Sequence, residues 1–183
     1  YLMREMVVGQ DANFTFDSFI QRYNSDLAND FGNLLSRVST LINKNYEGII
    51  PNVSNFSPLE IEIQHSSREV VENFDSHMSN MAINEAIEET LQFVRSINKY
   101  FEQSVPWKAV KNDKISAGTI LYTGAEALRI AAVLLSSIMP ERTKNLFLVL
   151  NTTSTDRDWG GLKPGTQLGP LTVLFPRINT ENN

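Results

Sequence analysis

The sequence predicts an all-α fold, a helical bundle with an extended C-terminal tail packed across it. Three observations carry this. Apolar residues recur at helical spacing, first at Leu27, Phe31, Leu34, Leu35, Val38, Leu41 and Ile42, and again at Ile83, Ile87, Leu91, Val94, Ile97 and Phe101, one stripe per helix. The stretch 115–137 is apolar almost all round, which marks a helix enclosed by others. After Asn151 glycine and proline become frequent, from Gly160-Gly161 through Lys163-Pro164-Gly165 and Gly169-Pro170 to Pro176, and no long helix survives that density of breakers. The expected core contains Leu34, Leu35, Val38, Leu91, Val94, Leu128 and Ala132.

Each element has local support. Residues 1–8 read as the end of a helix, and 8–13 as a polar turn punctuated by Gly9. Thr15 or Asp17 caps the next helix, which carries Phe16, Phe19, Ile20 and Tyr23. A bend is expected near residues 24–26 before the first apolar stripe. Gly48 and then Pro51 stop that helix. Ser57-Pro58-Leu59-Glu60 opens a long, polar helix with a cap, a proline and an acid. Asn80 or Asn84 caps the following helix, and Glu85, Glu88 and Glu89 suit its positive end. Val105-Pro106 breaks that helix and Trp107 begins a short one. Met139-Pro140 ends the apolar helix, and 141–150 forms a further amphipathic one. The tail lies extended over the bundle with a short hairpin, and 179–183 is expected to fray.

Composition narrows the chemistry. The 183 residues suffice for one well-buried core. There is no cysteine, which excludes a disulfide framework, a zinc knuckle and thiol catalysis, and the two histidines, His65 and His77, stand apart. A metal site is therefore not expected. A net charge of −5 argues against binding nucleic acid by bulk charge, but permits a local site. The run 120–139 has membrane-spanning length, yet it contains Glu126 and Arg129 and is rich in Ala, Ser and Thr, so it reads as a buried helix and no membrane partner is expected. No Gly-rich phosphate loop, internal repeat or nucleophile–base pair appears. The opening Tyr1-Leu2-Met3-Arg4-Glu5-Met6 reads as a helix cut in mid-course, so the chain is expected to be a fragment.

One polar feature stands out. At about 100° per residue, Asn33 and Arg37 lie one turn apart on a flank of the first stripe. A guanidinium fork and an amide beside an apolar wall suit the edge of a planar polar ligand such as a base. A solvated helix flank is the plainer explanation of the spacing alone.

Longer matches then accumulate. Leu2-Met3-Arg4-Glu5, Gly9-Gln10-Asp11 with Phe14, and Asn24-Ser25-Asp26-Leu27-Ala28-Asn29-Asp30 through Gly32-Asn33-Leu34-Leu35-Ser36-Arg37 come first. Pro106-Trp107-Lys108, Glu126-Ala127-Leu128-Arg129, Ile138-Met139-Pro140-Glu141, Trp159-Gly160-Gly161-Leu162 and Leu174-Phe175-Pro176-Arg177-Ile178 follow. Together and in this order, the chain resembles the methionyl-tRNA synthetases. Ala12 departs from the glycine frequent in that family, which affects only a local turn.

The resemblance implies a cytoplasmic class I aminoacyl-tRNA synthetase that activates methionine with ATP and Mg and transfers it to tRNA. It also implies that this chain is the C-terminal part alone. The family's HIGH and KMSKS signatures and zinc-binding cysteines are absent, so catalytic residues, ATP and metal are not expected within it. Residues 1–25 correspond to the end of the stem-contact region, 26–150 to the helical anticodon-binding domain, and 151–183 to the tail. The implied partners are the tRNA(Met) anticodon loop and the protein's own N-terminal catalytic domain. The family reads its CAU anticodon with an Asn and an Arg one helical turn apart and a Trp after a Pro. Those roles carry over to Asn33, Arg37 and Trp107, with Glu102 flanking the site. A helical protein–protein interaction module is the alternative, and burial separates the two: RNA binding needs Trp107 exposed beside Arg37, whereas a scaffold would bury it.

Overall fold

A computed structural model describes residues 1–6 and 13–179 of the chain. The expected turn at 8–13, the Gly9-Gln10-Asp11 match, Ala12 and the terminal 180–183 fall outside the described residues, apart from Asn13. Helices α1 (Leu2–Glu5) and α2 (Phe16–Arg22) lead into a π-helical stretch, Tyr23–Gly32, which continues directly into α3 (Asn33–Asn45). Then follow α4 (Pro58–Ser79), α5 (Ile83–Ser104), α6 (Pro106–Asn112), α7 (Lys114–Leu135), α8 (Pro140–Leu150) and an irregular tail.

The helix starts follow side-chain chemistry. Thr15 Oγ1 accepts the Ser18 amide at 3.1 Å, satisfying one of the free donors of α2. Ser57 and Glu60 form a reciprocal capping box, and the Glu60 carboxylate also accepts the buried Tyr100 hydroxyl at 2.6 Å. That hydroxyl's pKa is raised by burial and by the Glu60 charge. Asp113 accepts the Ile115 and Ser116 amides, each at 3.1 Å, to open α7.

One local expectation is corrected. Neither Asn80 nor Asn84 caps α5, whose N-cap position is Ala82. The connection from α4 is a tight turn through Met81 at φ 58°. It leaves Asn80 at the C-cap of α4, donating to the Ser76 carbonyl, and Asn84 already inside α5. At 24–26 the chain does not leave the helix. Wider π turns keep it helical there, and Asp26 is buried where Arg4 (3.3 Å) and Arg95 (3.1 Å) neutralise it. Arg95 also pairs with Asp30 and Glu88, each at 3.0 Å, tying α5 to the π-helical stretch.

α7 is the axis of the bundle. Residues 117–135 are all buried, and α3, α4, α5, α6 and α8 pack around them. The helix is long and apolar enough to cross a membrane, yet that window lies wholly inside the protein. All seven expected core residues are at most 2% exposed, and truncating one of the leucines to alanine costs about 2–5 kcal/mol.

The tail crosses the bundle, as expected, but pairs with a different partner. Among the described residues it forms no hairpin of its own. Instead Ile50 donates to Thr166 at 2.8 Å and Leu168 to Gly48 at 2.7 Å, with one antiparallel bridge between Ile49 and Gln167. The turn after α3 offers free backbone groups there, so the tail satisfies those rather than its own. Further on, Phe175 packs edge-on against Tyr23 and Phe31, each at 6.2 Å, and Asn24 exchanges two 2.9 Å hydrogen bonds with Ile178.

Its firmest anchor is buried. Glu126 and Arg129, both 0% exposed, form a bidentate pair at 2.7 and 2.8 Å. The carboxylate also accepts the amides of Gly160 (2.7 Å), Gly161 (2.9 Å) and Leu162 (2.9 Å), and Arg129 donates to the carbonyls of Asp156 and Asp158. A side chain at 161 would meet the Arg129 guanidinium carbon at 2.5 Å, so only glycine admits this approach.

Candidate nucleic-acid interface

The structure brings two of the sequence-selected residues into direct contact. Arg37 projects from the middle of α3. Its guanidinium carbon lies 5.4 Å from the centre of the Trp107 ring and 5.7 Å from that of Phe101, within cation–π range of both. Trp107 is 40% exposed; a tryptophan serving only as core would be far more enclosed.

What returns Trp107 to Arg37 is a sharp turn. α5 stops at Ser104, Val105 adopts a left-handed conformation (φ 44°, ψ 56°), and Pro106 fixes the first turn of α6. A β-branched residue at positive φ is strained and needs support from its surroundings. Pro106 is buried, so the start of α6 is pinned while the Trp107 ring stands out.

Asn33 is exposed at the first position of α3, one turn before Arg37 on the same flank. Glu102 is exposed on α5, one residue past Phe101. Among the described residues, no hydrogen bond or ion pair joins it to Arg37 or Trp107. Sequence reasoning missed several neighbours. Phe101 was visible only as part of an apolar stripe. Lys108 and Lys111 are exposed on α6, with Lys111 one turn beyond Trp107. Lys114 sits over the Tyr46 ring at 5.2 Å. The basic residues near Trp107 give this corner a local positive character inside a net acidic chain.

The arrangement has a part-exposed aromatic ring with a planar cation over it, an amide one turn away and flanking lysines. A flat face plus a forked donor suits an unpaired base, and lysines suit the phosphates around it. The comparisons give the class of protein: an anticodon-binding domain of the aminoacyl-tRNA ligases. Residues 50–183 match the family described as the anticodon binding domain of methionyl tRNA ligase, and residues 1–39 match the class I tRNA synthetases (M). The methionine–tRNA ligase of Caldanaerobacter subterraneus subsp. tengcongensis is 35% identical over 99% of this chain, and that of Mycobacterium leprae 34% over 97%. The apo crystal structure of Mycobacterium tuberculosis methionyl-tRNA synthetase superposes with a TM-score of 0.91 at 31% identity over 97% of the chain. A second structure of that enzyme, bound by methionyl-adenylate, gives 0.90. The chain belongs to the methionyl-tRNA ligase family. It spans about 30% of the Caldanaerobacter protein, 34% of the M. leprae protein and 38% of the apo M. tuberculosis chain.

Proposed function

We propose that this chain reads the CAU anticodon loop of tRNA(Met) for a methionine–tRNA ligase, with Trp107 stacking on a loop base, Arg37 and Asn33 meeting base edges or backbone, and Glu102 bordering the site. The single observation behind this reading is the half-exposed Trp107 ring lying beside the Arg37 guanidinium. A splayed loop base offers one free face and one free edge, which is what this pair is able to satisfy. Lys108 and Lys111 then meet phosphates. We assign residues 1–25 to the end of the stem-contact region, 26–150 to the anticodon-binding domain, and 151–183 to its strapping tail.

On this reading methionine activation, with ATP and Mg, takes place in a catalytic domain outside the present span. The converging amides of Gly160, Gly161 and Leu162, which would otherwise suit a phosphate, are already taken by Glu126. An apolar groove of about 570 Å³, lined by Met3, Phe14, Phe19, Leu91, Leu135 and Met139 among others, is the seat we assign to that domain. Two features support this. Residues 1–39 match the class I synthetase family, and Leu2, Met3, Phe14 and Phe16 are more than half exposed at or near the groove. A cytoplasmic location follows from the assigned activity.

The test is a titration of a fluorescent anticodon stem-loop with the parent chain and variants, paired with thermal melts. Base–aromatic stacking is worth about 1–3 kcal/mol, so Trp107→Ala should weaken binding about tenfold to a hundredfold. Arg37→Ala should cost a similar amount and relax base preference. Melting temperature should hardly change for Trp107→Ala. If that variant binds like the parent, or fails to fold, Trp107 is not the stacking residue.

A further inference from the structure

The Arg37–Trp107 pair rests on a support that reaches the axis of the bundle. Phe101 lies beneath it, fully buried, nearly as close to the guanidinium as Trp107 is. An edge of the Phe101 ring lies against Gly124, in the interior of α7. A methyl group on Gly124 would sit 2.8 Å from Phe101 Cζ, closer still to Cε2, and 3.3 Å from the Val38 side chain. Val38 is the neighbour of Arg37 on α3. Glycine weakens a helix interior, so helix propensity does not account for it at this position. What its missing methyl does is let the Phe101 ring settle into α7 with α3 close above it.

We infer that Gly124 and Phe101 are positioning residues for anticodon recognition: the ring, seated against Gly124, holds the Arg37 guanidinium beside Trp107 before RNA arrives. The inference rests on the proposed reading of Arg37 and Trp107 as the base-reading pair. An arginine side chain has many rotamers, and a site that must order it on binding loses affinity. Two aromatic rings at similar distances confine the guanidinium to one place. α3 supplies the arginine, α5 the supporting ring, α6 the stacking ring and α7 the space. Neither positioning residue touches the ligand.

Three variants separate this role from ordinary packing. Gly124→Ala should lower the melting temperature and weaken binding of the anticodon stem-loop. Phe101→Leu removes the ring without adding a clash. It should fold, with binding reduced about threefold to tenfold, the range for immobilising one long side chain. It should also lose part of its discrimination between the CAU loop and a loop with one anticodon base changed. In the double variant, leucine lacks the two ring atoms that the new methyl would strike. Its melting temperature should recover relative to Gly124→Ala, whereas affinity and discrimination should not. All binding is measured well below each variant's melting temperature. If Phe101→Leu, or the folded double variant, binds and discriminates like the parent, the positioning role is overturned. If the parent does not bind the stem-loop, or Trp107→Ala binds as well as the parent does, the failure lies in the site reading itself.

Discussion

Glu126→Gln tests how the tail is held. The carboxylate accepts five donors: Arg129 Nη2 and the Gly160 and Gly161 amides on Oε1, and Arg129 Nε and the Leu162 amide on Oε2. A glutamine has one oxygen and one NH2 group. Its best orientation keeps the oxygen on the three-donor side, which turns the NH2 toward Arg129 Nε and the Leu162 amide. Two buried donors lose their acceptor, and the buried guanidinium loses its counter-charge. Breaking a buried pair in this way costs about 3–5 kcal/mol, a large share of the ~5–15 kcal/mol that holds a typical domain together. At ~2–4 °C per kcal/mol for chains of this size, the melting temperature should fall by roughly 6–20 °C. Replacing both partners with apolar residues should not restore it, because the tail amides and the Asp156 and Asp158 carbonyls would still lack partners. The assay is a thermal melt with amide hydrogen exchange at 160–162, where protection should drop first. A fall below about 2 °C with exchange unchanged would refute the view that this carboxylate anchors the tail.

Further outcomes are expected elsewhere. Lys111→Ala should weaken stem-loop binding equally for all anticodon sequences and reduce the salt slope by about 1, as for one lost phosphate contact; a change in base preference would contradict that role. Val105→Gly should cost no more than about 1 kcal/mol in urea unfolding, because relief of the left-handed strain offsets the more flexible unfolded chain; a loss above about 2 kcal/mol would mean the side chain matters more than the turn. Stability should also fall at alkaline pH. Burial, and then the Glu126 charge, push the Tyr122 hydroxyl up to about 12 from its ordinary 10.0, and its neutral form donates to the Leu162 carbonyl at 3.0 Å. A raised folded-state pKa gives stability that is full below about 10 and lost as pH climbs through about 12. Melting temperatures measured across that window should therefore fall, and less steeply in Tyr122→Phe.

The helices were legible because burial of one face imposes a period on the side chains, and that period survives in the order of residues. The stripe from Leu27 to Ile42 and the apolar run around Leu128 are examples. The Asn33–Arg37 spacing was legible for the same reason. Other features left little trace. The π-helical stretch keeps the same apolar positions as an α-helix would over so short a run, so the order of residues does not mark its wider turns. Val105 gives no sign of its left-handed turn, since a valine before proline ordinarily favours extended backbone. The grip of Glu126 on the tail was invisible because its partners are backbone amides 34 to 36 residues away, and amides carry no residue signature. Phe101 was legible only as part of an apolar stripe; Gly124, seated against its ring, is marked by sequence alone only as a weak spot in a helix.

The unbroken passage from α2 through the π turns into α3 has a mechanical consequence. Residues 16–45 contain no loop, and the match to the synthetase family ends at 39, within α3. The span between the two matched regions, 40–49, thus covers the end of that continuous rod and the turn after it. Arg22 and Glu5, Arg4 and Asp26, and Arg95 and Asp30 clamp one end of that rod, while Asn33 and Arg37 ride further along it. A displacement at the clamped end is not absorbed by slack chain before it reaches Arg37.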